Sequence, residues 1–322
     1  MDFDRSNYST NKPVDIAAIG EATTASVLFI ALSLVGIVIN MFIISVNFHS
    51  WIKGQSMNPS DLLIVSLAFS NMVFSVTDGV YTICILVIPF GDVEDQLYLL
   101  YIVMVYVLFC NSWLSACLCF YYFVKISNVK PGYLARLKSK INTLVPRLIL
   151  VAQGFSILNS LFYMPVFFKE NVENPTNQTQ NITTYRTDDF YNVFFLLINC
   201  YIPFLVILVT TSLIIASLYK HTRRMQQNMG EVGGPSLKIH QRAARTMTSL
   251  LILYLLFYVV VLGSSLLIKN ELLSWVYYLV GCTFSPIQSI ILIMGNTRLK
   301  KTFVNMLNSC RKTFGEEDNV TT

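Results

Sequence analysis

Apolar residues along this chain gather into seven runs, each about 20 residues or longer, with short polar stretches between them. Read from the pattern, the runs cover 22–48, 60–88, 97–126, 143–168, 190–219, 243–267 and 274–296. Each can cross a hydrocarbon layer as a helix, because a helix rises about 1.5 Å per residue. The fold expected is an all-α membrane protein, a seven-transmembrane-helix bundle. After Asn296 the period changes. Leu299, Phe303, Met306, Leu307 and Cys310 recur at helical spacing while Arg298, Lys300 and Lys301 take other faces, which predicts a short amphipathic helix on the membrane surface. The chain then reads as a single domain: an extracellular N-terminus over 1–21, the bundle and loops over 22–296, the surface helix over 297–310 and a cytoplasmic tail over 311–322.

Local punctuation supports these divisions. Asn58-Pro59 opens the second span with proline at a first helical position, and Pro89 and Gly91 close it. Pro131-Gly132 interrupts the segment after span three, and "MGEVGGPS" at 229–236 is the flexible stretch between spans five and six. Pro165, Pro203 and Pro286 lie within or at the ends of spans, where they bend helices or free carbonyls for neighbours. No internal repeat is visible. The first 20 residues are polar and mildly acidic, so no cleavable signal peptide is expected and the first span inserts itself.

Composition excludes a soluble globule. The chain is 54% hydrophobic and 13% charged over 322 residues, with a mean hydropathy of +0.57. The net charge of +5 reports topology and gives no reason to invoke nucleic acid. Eighteen of the 23 lysines and arginines fall on one side of the spans, which places the N-terminus outside and the C-terminus in the cytoplasm. Sequons at Asn7, Asn177 and Asn181 lie on the predicted outer side, whereas the one at Asn319 lies in the cytoplasmic tail. The outer loop 169–189 contains none of the seven cysteines, so it cannot be tied to helix three by a disulfide. Cys310, beside Arg311 and Lys312, suits reversible palmitoylation.

Ionisable groups inside a membrane are costly and therefore candidates for function. Asp78, in the outer half of span two, has two readings. It is an anion facing a cavity and a cationic ligand, or a structural carboxyl bonded to neighbouring helices. Asn40 and Asn71, at similar depth in the inner half, read as interhelical hydrogen-bonding groups. Enzyme chemistry has little support. His49, His221 and His240 all sit at span boundaries, no catalytic motif is present, and span seven has no central lysine for a Schiff base. No cofactor or metal is expected. A transporter would need interrupted half-helices or repeats, which the pattern lacks.

The ends of the spans carry a resemblance. "SLYKHTRRM" (217–225), "HQRAARTMTSLL" (240–251), "QSIILIMGNTRLKK" (288–301), "WLSACLCFYYFVKISN" (113–128) and "NMFIISVNFHSWIKG" (40–54) together resemble the bitter taste receptors, the type 2 taste receptor family. The family ends helix three on an aromatic-lysine run, as here at Tyr121, Tyr122, Phe123, Val124 and Lys125, instead of an Asp-Arg-Tyr triplet. There are departures. Asn71 stands where the family usually has arginine, Gln288 replaces a histidine, and Met104 and Leu108 replace a frequent pocket tryptophan and asparagine. The chain is identified as a divergent member.

The resemblance implies a G-protein-coupled receptor of the plasma membrane that detects bitter agonists and activates gustducin or an inhibitory-class G protein. The ligand set expected in the outer halves is Asp78, Tyr81, Tyr101, Met104, Val105, Leu108, Phe195, Asn199, Tyr258, Val261 and Tyr278. The coupling set expected at the cytoplasmic ends is Lys125, His221, Arg224, Met225, His240 and Arg245. Basic residues there also satisfy helix-terminal carbonyls and anionic membrane lipids, which is the competing reading. The alternatives are a chemosensory or pheromone receptor of another seven-helix class, such as the vomeronasal type, and a seven-helix transporter.

A glycan test follows from the charge count. We predict that glycosidase lowers the apparent mass of the expressed protein and that substituting Asn177 and Asn181 together removes most of that shift. A glycan carried by Asn319 would invert the orientation.

Overall fold

The computed structural model describes residues 16–87, 94–126, 133–162, 167–173, 179–185, 194–229, 235–266 and 271–320. Its helices are α1 (Ile16–Ile52), α2 (Pro59–Val87), α3 (Glu94–Ile126), α4 (Tyr133–Phe162), α5 (Ile202–Met229), α6 (Pro235–Leu266), α7 (Glu271–Gly295) and α8 (Thr297–Val320). Seven of them are long and apolar enough to cross a membrane. Between α4 and α5, β1 (Phe167–Glu173) pairs antiparallel with β2 (Thr179–Tyr185), with Phe167 opposite Tyr185.

Side-chain partners set the register. Ser33 reaches Asp78 and Gly36 meets Ser75, so α1 and α2 run in opposite directions. Asn40 meets Ser289 as Gly36 meets Pro286, so α1 and α7 run the same way. α3 packs against α2, α4, α5 and α6 and is the most enclosed span, with 61% of its apolar window buried. Its buried residues Phe109, Leu114, Leu118 and Tyr121 form the middle of the core with Leu67, Ile207, Ile214, Met247 and Tyr254. On the outer faces Val38, Leu150, Phe162 and Val259 stay exposed, as lipid-facing positions should.

Local chemistry explains several element ends. α1 stops at Gly54, whose φ of 76° is the left-handed conformation glycine tolerates, and whose N–H returns to the Trp51 carbonyl at 2.9 Å. Ahead of α5 lies a π-helical turn, Leu197–Tyr201. Pro203 has no N–H to give the Asn199 carbonyl, and the turn just before it leaves Asn199 and Cys200 buried. Gly36 is needed for a close approach: a Cβ there would fall on the Ser75 hydroxyl and lie 3.6 Å from the Pro286 ring.

Several expected boundaries shift: α1 covers Ile16–Ile52 where 22–48 was expected, so it begins within the stretch read as N-terminus, while α5 continues to Met229 and α6 begins at Pro235, not 243. Helix four begins at Tyr133, not 143, and ends at Phe162, not 168. Its first turns carry Arg136, Lys138 and Lys140, good helix formers that a hydropathy pattern leaves outside the span. It also contains Pro146, which the pattern reading passed over. α8 continues beyond 310 to Val320. The breaks expected at Pro131-Gly132, Pro89 and Gly91, and the sequons at Asn7 and Asn177, lie outside the described residues; Asn181 falls on β2.

Candidate functional site

Most hydroxyl and amide side chains in the spans bond in one of two ways, or in both. Ser66, Thr77, Thr82, Ser156, Thr210 and Thr248 donate to carbonyls of their own helix four residues back, a local solution that leaves no polar group unpaired in an apolar medium. Others bond between helices. Ser289 on α7 donates to Asn40 Oδ1 at 2.6 Å and accepts from Asn71 Nδ2 at 3.3 Å. Ser285, one turn earlier, donates to the Asn71 carbonyl at 3.1 Å and lies 3.0 Å from Ser75 Oγ. Asn71 Oδ1 in turn accepts from Asn111 on α3 at 2.9 Å. The expected bonding role of Asn40 and Asn71 therefore takes a definite form: they meet through α7.

A second knot joins α3, α6 and α7. The Tyr254 hydroxyl lies 2.9 Å from both the Asn111 carbonyl and Ser115 Oγ. Gln288 Nε2 donates to Ser115 at 3.0 Å and to Tyr254 at 3.2 Å. Gln288, noted in the sequence as a departure, is thus fully buried and ties three helices. One turn farther along α3, Ser112 Oγ is 3.0 Å from the Tyr258 hydroxyl.

The residues expected to hold a ligand fall into two groups. Tyr81 of α2 lies within electrostatic range of Tyr278, Tyr101 and Asp78, which brings α2, α3 and α7 together at the end far from α8. Tyr101 and Tyr278 are exposed there; Asp78 and Tyr81 are half-buried. Asp78 Oδ2 accepts from Ser33 at 2.8 Å, and the Cys282 thiol also reaches the carboxylate. The second group surrounds α3 deeper in the bundle. Tyr258 packs at a tilt against Tyr201 and edge-on against Phe204. Asn199 accepts from Trp113 at 3.3 Å and donates to the Phe195 carbonyl at 3.0 Å. Val105, Asn199 and Tyr258 are buried, while Met104, Leu108 and Phe195 are half-buried. The side chain of Val261 lies outside the described residues.

The opposite end carries the basic residues and two adjoining cavities. The first, about 430 Å³, is lined by Asp61, Tyr122, Lys125, Arg242, Asn296 and Arg298 among others. Lys125 donates to Tyr121 Oη at 3.0 Å and sits over that ring, 5.3 Å from its centre. Arg298 of α8 pairs with Asp61 of α2 at 3.3 Å and donates to Asn47 of α1. Asn296 caps α8: its Oδ1 accepts from the N–H groups of Arg298 and Leu299, while its Nδ2 donates to Asp61 at 2.8 Å. One asparagine therefore starts a helix and ties it to α2.

Of the residues expected to couple, Lys125 lines this cavity and Arg245 is exposed on α6. The side chains of His221, Arg224, Met225 and His240 lie outside the described residues, as does that of Cys310. Asp61, Arg242, Asn296 and Arg298 were not singled out from sequence. Asp61 follows Pro59 in the first turn of α2, where an acidic residue reads simply as a partner of the helix dipole. Arg242 carried no signal in the sequence, and only the structure shows its place. It stands four residues before Thr246, which packs on Gly295 and so marks the α6 face turned toward α7.

A sequence model of the family described as "Taste receptor protein (TAS2R)" matches residues 20–311. Among curated proteins, the chain is 29% identical to "Taste receptor type 2 member 8" of Gorilla gorilla gorilla over 87% of its length and 93% of the relative's. It is likewise 29% identical to "Taste receptor type 2 member 7" of Rattus norvegicus, over 90% and 96%. "Taste receptor type 2 member 9" of Pongo pygmaeus is 27% identical over 86% and 91%.

The tie between α2 and α8 generates a prediction. Asp61→Asn leaves Arg298 without its counter-ion, so thermal unfolding followed with a thiol-reactive dye should start at lower temperature. Because Arg298 is partly exposed, the expected loss is about 1–2 kcal/mol. Arg298→Gln added to Asp61→Asn should cost little more, and an unchanged melting temperature in the single variant would refute the pairing.

Proposed function

The chain belongs to the taste receptor family TAS2R, and from that premise we propose that it is a plasma-membrane receptor for small bitter-type compounds, coupled to a G protein of the gustducin or inhibitory class. As a member of that family it is a G-protein-coupled receptor and not an enzyme. The observation that carries the reading is the extent of the match, from residue 20 to 311, through all seven spanning helices and into α8. The same extent favours this reading over a vomeronasal-type receptor or a transporter.

In the proposed orientation the N-terminus is extracellular and the basic end faces the cytoplasm, where eighteen of the 23 lysines and arginines lie. Ligand enters at the other end, beside the exposed Tyr101 and Tyr278, and meets Asp78 and Tyr81. Tyr258, Asn199, Val105 and Phe195, with Met104, Leu108 and Val261, form the deeper wall around α3. Ligand stabilises one arrangement of the bundle relative to another. Tyr258 and Tyr254 sit one turn apart on α6 and bond to α3 at Ser112 and Ser115, so a ligand that displaces Tyr258 acts on the α3–α6 contact. The cytoplasmic ends of α3, α5 and α6, with Lys125, His221, Arg224, Met225, His240 and Arg245, then receive the G protein. In this reading Asn7, Asn177 and Asn181 carry glycans, and Cys310 carries a lipid that holds α8 to the membrane.

Calcium mobilisation in cells carrying a chimeric G protein tests the reading, with a diverse library of bitter compounds. We predict agonists among them. Uptake of labelled compound into vesicles without G-protein activation would overturn the reading. The role of Asp78 is tested by Asp78→Asn, which preserves shape and removes charge. Amine agonists should lose roughly tenfold in potency, the equivalent of about 1.4 kcal/mol, while neutral agonists keep theirs. Equal shifts for both, at matched surface expression, would leave Asp78 only its bonds to Ser33 and Cys282.

A further inference from the structure

The start of α8 is electrostatically unusual. A helix N-terminus carries partial positive charge and favours anions, yet Arg298, Lys300 and Lys301 all lie in the first five residues of α8. Asp61 compensates Arg298, in the one ion pair found among the described residues. Lys300 and Lys301 have no such partner there. Arg298 also keeps a buried Nε without a hydrogen-bond partner. Beside this turn lies the second cavity, a shallow groove of about 670 Å³ open to the surface, lined by Arg242, Arg298, Lys300, Lys301, Thr297, Val304 and Asn305. Its four cationic side chains come from two elements, α6 and α8, and no acidic residue lines it.

We propose that this cavity binds the phosphate-bearing headgroup of an anionic phospholipid. Arg242, Lys300 and Lys301, none of them in an ion pair among the described residues, converge with Arg298 and no lining carboxylate, which calls for a multiply charged anion, and phosphate oxygens suit these cations. The surroundings select a lipid over a soluble phosphate. Val304 forms part of the wall, and Leu307, three residues on along the same side of α8, is exposed and apolar beside it. Acyl chains leaving the headgroup would run over that apolar surface into the bilayer. Basic pockets between helices on the cytoplasmic side are a recurrent means of holding such headgroups. A phosphate gripped by Arg242 and by Lys300 and Lys301 ties the end of α6 to α8. The inference rests on the orientation proposed above only for naming the cytoplasmic leaflet as the source.

Binding to the purified full-length receptor in detergent reads the site without G protein, agonist or orientation, so its outcome is independent of theirs. The probe is short-chain phosphatidylinositol bisphosphate, compared with short-chain phosphatidylcholine and with free inositol trisphosphate. The bisphosphate lipid should bind and phosphatidylcholine should not. Lys300→Gln with Lys301→Gln should weaken binding roughly 25-fold, and Arg242→Gln about fivefold, at about fivefold per surface charge. Lys138→Gln with Lys140→Gln, on an exposed part of α4, removes the same charge elsewhere and should change affinity less than about twofold. An equal loss in that control pair would mean diffuse attraction and overturn the site. So would equal binding of phosphatidylcholine. Inositol trisphosphate binding as tightly as the lipid would overturn the choice of a lipid.

Discussion

A polar group in hydrocarbon has no water to bond, so amides and hydroxyls in a spanning helix seek partners within the protein, and most here find one, although Asn111 Oδ1 and Gln288 Oε1 are buried without a partner. The bundle is organised by how it meets that requirement at one place, the buried node where Asn40, Asn71, Asn111, Ser285 and Ser289 converge. Helix backbones satisfy themselves and peripheral hydroxyls fold back on their own carbonyls. The node holds α1, α2, α3 and α7 in a single register, with Ser33–Asp78 and Gln288–Ser115 adding to it. Each bond of this kind contributes modestly, on average about 0.6 kcal/mol. Their joint effect is specificity: a rotation of any one helix would strand several partners at once. Gly36 permits the closeness that the node requires, since any side chain there would displace Ser75.

From the node, two chains of contact run toward opposite ends. One passes through Tyr254, Ser115 and Gln288 to Tyr258 and the aromatic residues around it, which the proposed ligand would meet. The other passes down α7 to Asn296, where the helix ends and α8 begins, fastened to α2 by Asp61. The proposed receptor mechanism needs a mechanical connection between its ends, and these hydrogen bonds, the Tyr254–Tyr258 ring contact and the backbone of α7 can together supply one. The basic end is then a surface where charge is only partly neutralised, suited to a G protein on one side and, as inferred, to lipid on another.

The fold was legible in the sequence because hydrophobic length is a direct imprint of bilayer thickness. Seven runs gave seven helices, and the change of period after Asn296 marked α8. Ends were harder to read. Helix four and α8 extend past their apolar stretches because helix propensity continues where hydropathy falls. At the site, Asn40 and Asn71 could be assigned to interhelical bonding because amides in a span have little else to do. Their meeting at Ser289 could not be read, because helix rotation is fixed only by packing. Asp61 was hidden for a different reason: a carboxylate in a first turn already has a local explanation. Gln288 was visible only as a departure from a family pattern, and the structure supplies its partners.

The central claim is that Asn71 is coupled to its neighbours on α3 and α7 and does not merely fill space. A double-mutant cycle on the purified receptor, with Asn71→Ala and Asn111→Ala singly and together, measures this through detergent-induced unfolding. The losses should be non-additive, with a coupling of about 0.6–1.7 kcal/mol between the two sites. Strictly additive losses would contradict it.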